Sequence, residues 1–307
     1  MIAIVIPYFK INFFKATLVS LANQTDKRFE VFIFDDDSPE NPKELLKEFE
    51  GKFNFNYYKF NKNLGKTSLV KHWERCLDQV HNFDWVMILG DDDTLDENVI
   101  FDFYDNIEEI NNLEIDVVRY STVVVDHENI EISKKYQHPQ VENAVDSFMR
   151  KLQNASRSSL SEYFFRKNKF DEYVIKDFPN ALCADDIMVL EHSSFNNIFT
   201  INTSLIKIRK STLNLSGGVV KLKNRHLPII KFYTTLLIEF KSCFNKSQID
   251  IIESKFEREV FIHRKIIILM FFIKYYTLNF KFLKLSRFLL YVLIKSPKLF
   301  LKVLNVF

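Results

Sequence analysis

Short apolar runs alternating with amphipathic stretches fill the first 125 residues, and this rhythm constrains the fold more than any single motif. Ile2 to Ile6, Phe29 to Phe34, Asn56 to Phe60, Trp85 to Leu89 and Asp116 to Val125 have the length and the β-branched and aromatic content of strands. Between them, Phe14 to Ala22, Pro42 to Phe49, Thr67 to Val80 and Glu97 to Ile110 are predicted helices. Such a chain builds a parallel sheet wrapped by helices, and ligands of these sheets gather beyond the carboxyl ends of the strands. From about residue 139 the rhythm changes. A helix is expected over Val141 to Leu152, a strand over Ser161 to Arg166, a helix near Asp185 to Ser194 and a β-rich run from Phe199 to Ile208. After Gly217-Gly218 the pattern is helical to the end, punctuated by Pro228 and Pro297.

Composition removes several function classes. Five glycines, of which only Gly217 and Gly218 lie close together, write neither a dinucleotide fingerprint nor a phosphate-cradling loop. Cys76, Cys183 and Cys243 are too scattered for a disulfide framework or a zinc knuckle, and fit a reducing compartment. No histidine pair at HExxH spacing and no CxxC is present, so zinc has no support. The opening Met1 to Ile6 lacks a basic leader and reads as a buried strand, so no targeting segment is expected. The apolar tracts Ile266 to Ile273 and Phe288 to Ile294 are shorter than the roughly 18 residues a bilayer span needs.

Acidic residues cluster where strands end. Asp35-Asp36-Asp37 follows the second strand and Asp91-Asp92-Asp93 the fourth. Adjacent carboxylates repel unless a cation or hydrogen-bond donors compensate. Simple helix capping and turn formation explain one such run about as well as function does, and explain two runs less well. Hard oxygen ligands suit Mg²⁺ or Mn²⁺ shared with a diphosphate. A third acidic pair, Asp185-Asp186, opens a helix, as a plain N-terminal carboxylate or as a general base within reach of a hydroxyl.

In this order the motifs resemble the inverting family 2 glycosyltransferases with a GT-A fold. Ile4-Val5-Ile6-Pro7-Tyr8 is similar to their first strand and turn, and Phe32 to Ser38 to their "VVDDGS" stretch. Asn61-Lys62-Asn63-Leu64-Gly65-Lys66 resembles the "N.G" loop, and Trp85 to Asp93 the strand carrying the DXD metal motif. Ser161 to Arg166 followed by Ala184-Asp185-Asp186 resembles the acceptor-side strand and the "ED" base motif.

The resemblance implies an α/β GT-A fold, a Rossmann-like mixed sheet flanked by helices. The catalytic domain is expected over residues 1–215, with a nucleotide-sugar half to about 125 and an acceptor half from about 126, and a helical appendage over 216–307. It also implies a metal-dependent inverting transfer from a nucleotide-diphosphate sugar, UDP-linked for preference, to a hydroxyl of a surface glycan or lipid-linked oligosaccharide. Pro7, Tyr8, Asp36, Asn63 and Lys66 would lie on the nucleotide side, with Tyr8 and Asp36 at the base. Asp93 would bind Mn²⁺ or Mg²⁺, assisted by Asp91 or Asp92. Asp186 would be the base, with Asp185 as the other candidate. Gly90 stands where the family's D-x-D-D pattern begins, so the register of the metal motif is open by one residue. A sugar-phosphate nucleotidyltransferase would need a glycine-rich signature near the first strand, and residues 1–50 contain no glycine. An inactive scaffold would have no use for three acidic clusters.

Charge is divided along the chain. Residues 1–200 carry 22 Lys+Arg against 35 Asp+Glu, a net −13, while residues 201–307 carry 20 against 5, a net +15. After Glu259 there are nine basic residues and no acid. On one helix over 274–295, Lys274, Lys281, Lys284, Arg287 and Lys295 fall within an arc of about 140°. Leu, Phe, Val and Ile occupy the other side. This predicts a helix lying in an anionic membrane interface on the cytoplasmic side, with Pro297 separating it from a last short helix, Leu299 to Val306. Nucleic acid is not expected, because the aromatics lie among aliphatic rather than polar neighbours.

Overall fold

The computed structural model describes residues 1–211 and 226–304, with side chains to 301 in the last helix. It divides into two compact units, Met1–Lys221 and Leu222–Phe307. The expected boundary at 215/216 and the Gly217-Gly218 pair lie outside the described residues.

The first unit follows the order β1 (Ile2–Tyr8), α1 (Phe14–Ala22), β2 (Phe29–Asp35), α2 (Lys43–Lys47), β3 (Phe55–Lys59), α3 (Leu69–Leu77), β4 (Trp85–Ile88), β5 (Thr94–Leu95), α4 (Val99–Asp105), α5 (Ile107–Asn112), β6 (Val117–Val125), β7 (Val141–Asn143), α6 (Ala144–Leu152), β8 (Tyr163–Arg166), α7 (Lys169–Glu172), α8 (Ala184–His192) and β9 (Asn197–Arg209). The nine strands form one mixed sheet ordered β3-β2-β1-β4-β8-β6-β9-β5, with β7 also on β9. Ile4, Ile6, Phe14, Leu18, Val31, Ile33, Met87, Phe103 and Phe164 lie fully buried in its core. Removing each such side chain from water contributes roughly 1.5–3 kcal/mol.

The sheet registers decide what meets at the mouth. β3, β2, β1 and β4 run parallel, with Tyr8 opposite Asp35 and Val5 opposite Ile88, so the segments after β1, β2 and β4 emerge at one edge. β8 runs antiparallel to β4, with Met87 opposite Phe164, which returns residues 159–162 to that edge. β9 runs antiparallel to β5, with Thr94 opposite Lys207, and delivers Arg209 beside the run at 91–93.

Three local expectations change. Val141–Asn143 pairs with β9 instead of starting a helix, because the Asn143 side chain accepts from Val145 N and caps α6. Ser161 and Glu162 belong to a 3₁₀ turn, Leu160–Glu162, before β8 starts. The stretch Glu97 to Ile110 is two helices that meet at Asn106.

The second unit holds α9 (His226–Thr234), a π-helical turn (Thr235–Glu239), α10 (Lys246–His263), α11 (Ile266–Leu278), α12 (Phe282–Lys295) and α13 (Pro297–Leu304). Phe256, Phe272, Tyr276, Phe288 and Val292 are buried among these helices. The single helix expected over 274–295 does not form. α11 ends at Leu278, Phe280 takes a left-handed φ of 54°, and α12 restarts at Phe282. Lys281 and Lys284 turn onto α10, where Lys281 pairs with Glu253 and Lys284 pairs with Asp250 at 2.5 Å and Glu253 at 2.7 Å. They are structural ion pairs rather than part of a free lysine arc. Pro297 opens α13, as its fixed φ and missing N–H favour at a first helical position. No helix among the described residues is long and apolar enough to cross a membrane.

Candidate active site

At the carboxyl ends of β1 and β4 lies a cleft of about 470 Å³ lined by Pro7, Lys10, Asn63, Lys66, Trp73, Asp91, Asp92, Asp93, Ser161 and Arg209, among others. Pro7, Asn63, Lys66 and the three aspartates were all expected there. Tyr8 is fully buried instead, donating its hydroxyl to the Glu40 carbonyl at 3.0 Å. Its phenol is held well above the ordinary range by burial.

Asp36 does not line the cleft but holds the loop that does. It is 3% exposed and accepts from Leu64 N and Gly65 N, both at 2.8 Å, and from the Arg75 guanidinium. Its carboxylate therefore shapes the loop that presents Asn63 and Lys66. Gly65 is required for this approach, since a Cβ there would stand 2.6 Å from Asp36 Oδ2. Arg75 itself lies over the Phe60 ring, its Cζ 3.8 Å from the centroid.

The three aspartates after β4 have different surroundings. Asp91 Oδ2 accepts from Phe9 N and Lys10 N, each at 2.8 Å, which pins the turn after β1. Asp93 is 5% exposed; its Oδ2 accepts from Ser161 Oγ at 2.6 Å and its Oδ1 from Arg209 N at 2.8 Å. Both oxygens of the residue expected to bind metal are thus engaged inside the protein. Asp92 is partly exposed in the cleft, and among the described residues no other residue donates to its carboxylate. Burial, followed by repulsion from Asp93 and Asp91, pushes Asp92 up to about 8, and Arg209 only partly offsets this. Arg209 alone does not balance the three neighbouring carboxylates. No group of three or more His, Cys, Asp or Glu among the described residues converges to hold a metal unaided.

Asp186 does not line this cleft. It opens α8, is 7% exposed and pairs through Oδ1 with Lys151 Nζ on α6. Burial raises its carboxyl to about 6 against the pull of Lys151. Asp185 is half-buried beside it and, among the described residues, accepts no side-chain hydrogen bond. Asp186 lines a small cavity with Lys151, Arg157, Ser158 and Tyr163. Ser158 borders that cavity and Ser159 to Ser161 border the cleft, so one short turn lies between the two. In the same turn Glu162 is fully buried and pushed up to about 7 by burial, with Arg157 3.7 Å away.

Sequence reading missed Ser161 as the clamp on Asp93, Arg209 behind Asp92 and Asp93, and Lys151 against Asp186. Arg209 also donates through Nε to the Asp92 carbonyl at 3.0 Å. These partners stand 68, 116 and 35 residues from the carboxylates they hold, and no local spacing rule signals them.

The family model described as Glycosyl transferase family 2 matches residues 3–199, well over half of the chain. An uncharacterized glycosyltransferase of Mycoplasma pneumoniae, a homolog of MG060, is 33% identical over 90 residues, or 28% of this chain and 29% of that protein. The match thus spans less than a third of that relative. Among solved structures, S. aureus TarS 1-349 in complex with UDP-GlcNAc has a TM-score of 0.64 at 15% identity, covering 84% of this chain and 72% of that one. GalNAc-T7 with UDP, GalNAc and Mn²⁺ has a TM-score of 0.53 at 9% identity, covering 79% and 49%. At such identities the structural likeness concerns the fold, which is GT-A. The sheet that carries the cleft lies within the matched region, and this chain is a glycosyltransferase of family 2.

Proposed function

We propose that the enzyme transfers a sugar from a UDP-sugar to a hydroxyl of a glycan or glycolipid, with inversion at the anomeric carbon. The observation that carries the reading is the Asp92 carboxylate, partly exposed in the cleft, crowded by Asp91 and Asp93 and, among the described residues, without a donor from another residue. A divalent cation shared with a diphosphate would relieve that repulsion. The donor set fits Mn²⁺ or Mg²⁺: Asp92, with Asp91 in support, would hold the ion through hard oxygens, as these ions prefer. Asp92 therefore replaces Asp93 as the proposed ligand, Asp93 being the residue that fixes the loop. Bound there, the cation would stabilise the charge of the departing diphosphate.

This chain's own residues do the rest. Lys66 and Asn63, presented by the Asp36-held loop, face the nucleotide side of the cleft. Asp186, across the Ser158–Ser161 turn from the cleft, would take the proton of the acceptor hydroxyl as the hydroxyl oxygen bonds to the anomeric carbon and the bond from that carbon to the β-phosphate oxygen breaks. Lys151 holds Oδ1 and leaves Oδ2 to accept. A carboxyl near 6 is ionised at neutral pH yet more basic than an ordinary aspartate, which suits a general base. The observed complexes of TarS with UDP-GlcNAc and of GalNAc-T7 with UDP and Mn²⁺ support the choice of donor and ion.

A thermal-shift screen of UDP-, GDP- and dTDP-sugars with Mn²⁺ tests the donor, since ligand binding raises apparent stability by mass action. A UDP-sugar is expected to raise Tm. Stabilisation by GDP- or dTDP-sugars alone would overturn the donor assignment.

A further inference from the structure

The break between α11 and α12 changes which surface of the second unit is free. With Lys281 and Lys284 drawn onto α10, the outward side of α12 is apolar. Phe280 is 81% exposed at the turn, Leu283 78% and Ile294 66%, with Leu278, Phe282 and Leu290 also exposed. Phe280 and Phe282 form an edge-to-face pair, centroids 6.2 Å apart. At about 100° per residue, Leu283, Leu290 and Ile294 fall within about 40° of one another along α12. Phe288 and Val292 bury the opposite side. Arg287 lies beside the apolar stripe, and Lys295, the last residue of α12, lies about 100° around the helix from Ile294. Both are exposed, as are Lys274 and Lys298, and none of the four has an ion-pair partner among the described residues.

An apolar area this dense on so small a unit needs an occupant. The charges select it. No acid occurs after Glu259, and the nearby acids Asp250 and Glu253 of α10 are already paired. In a two-fold contact between copies the stripe would face its own image, setting cations near cations with no acid between them. A nucleic acid would meet aliphatic side chains where stacking and polar groups are needed. A bilayer with anionic headgroups meets both requirements, acyl boundary for the stripe and phosphates for its rim.

We propose that the α11–α12 turn and the outward stripe of α12 form the surface by which this chain lies on an anionic lipid bilayer. Phe280, Phe282, Leu283, Leu290 and Ile294 enter the acyl boundary, while Arg287, Lys295 and Lys298 stay among the headgroups. The bound helix lies in the interface plane and does not cross it. This attachment is independent of the donor and of the metal.

The test is flotation of the full chain with vesicles of phosphatidylcholine alone and of phosphatidylcholine mixed with phosphatidylglycerol, without nucleotide. Flotation with the mixed vesicles and much less with phosphatidylcholine alone is expected. Exchanging Arg287, Lys295 and Lys298 for Gln should lower partitioning about a hundredfold, from about fivefold per cation. L283Q/L290Q/I294Q should abolish flotation while leaving the unfolding temperature near wild type, because all three side chains are exposed. For the same reason F280W should shift its emission to the blue on mixed vesicles. Absence of flotation by wild type, equal flotation with both vesicle types, or undiminished flotation of the triple Gln variant would overturn the proposal. So would a lipid-free dimer in sedimentation velocity that L283Q/L290Q/I294Q converts to monomer.

Discussion

Replacing Lys151 with Met removes the counter-charge of Asp186 while keeping most of the buried stem. Asp186 is 7% exposed, so its anion would be left in a low-dielectric setting with Asp185 beside it. Removing one partner of a buried pair typically destabilises by about 3–5 kcal/mol. The loss depends on pH in a way that follows from the carboxyl itself. In wild type Asp186 titrates near 6, and without Lys151 its value must rise further. At pH above the variant's value both proteins carry the anion, and the full loss is present. As pH falls, the variant protonates first and recovers about 1.4 kcal/mol per pH unit. Below about 6 wild type protonates too, and the difference levels off. The two tryptophans, Trp73 and Trp85, both lie in the first unit, so intrinsic fluorescence during urea unfolding reports on that unit. Equal destabilisation at pH 8.5 and pH 5.5, or a loss well under 1 kcal/mol at both, would refute this account of the pair. K151M/D186N should be more stable at high pH than K151M alone, since no charge is then stranded.

Three further perturbations separate the parts of the account. Gly65→Ala drives a Cβ to 2.6 Å from Asp36 Oδ2; with two hydrogen bonds to a carboxylate disturbed, roughly 3 kcal/mol of stability should go, and UDP binding with it, in melting and calorimetry. Asp186→Asn should lower kcat/KM by about 10²–10⁴-fold with donor binding retained, whereas Asp185→Asn should stay within about tenfold of wild type; the reverse ranking in a transfer assay would move the base to Asp185. Glu253→Met leaves Lys281 and Lys284 short of their buried partner and removes the acceptor of Tyr275, so denaturation should show about 3–5 kcal/mol lost in the second unit, as far-UV circular dichroism would report.

The parallel half of the sheet, β3-β2-β1-β4, was legible because each strand is a short apolar run with polar residues at its end. Phe14 to Ala22 was read to the residue, and the first four parallel strands were read to within two residues at either end. The short β7 was lost because Val141 to Leu152 has helical spacing throughout, and only the Asn143 cap marks where the helix starts. The turn at Phe280 carries neither Gly nor Pro, and it sets two lysines against Glu253 and Asp250, roughly 30 residues away. Local periodicity carries no sign of such distant partners, so the sequence predicts one helix over 274–295 where the structure has two. The aspartate run after β4 was visible as a site, but not its division of labour. Ser161 and Arg209 decide that Asp93 is internal and Asp92 is open, and they arrive from the 3₁₀ turn before β8 and from the end of β9.

The central claim is that Asp92 holds a divalent ion against a nucleotide diphosphate. Calorimetric titration of UDP into wild type, D92N and D93N, each with Mn²⁺ and with EDTA, tests it most directly. Wild type should bind UDP at least tenfold more tightly with Mn²⁺, and D92N should bind weakly and equally in both conditions. UDP affinity in wild type that ignores Mn²⁺, or a Mn²⁺ effect that survives in D92N and vanishes in a folded D93N, would contradict it.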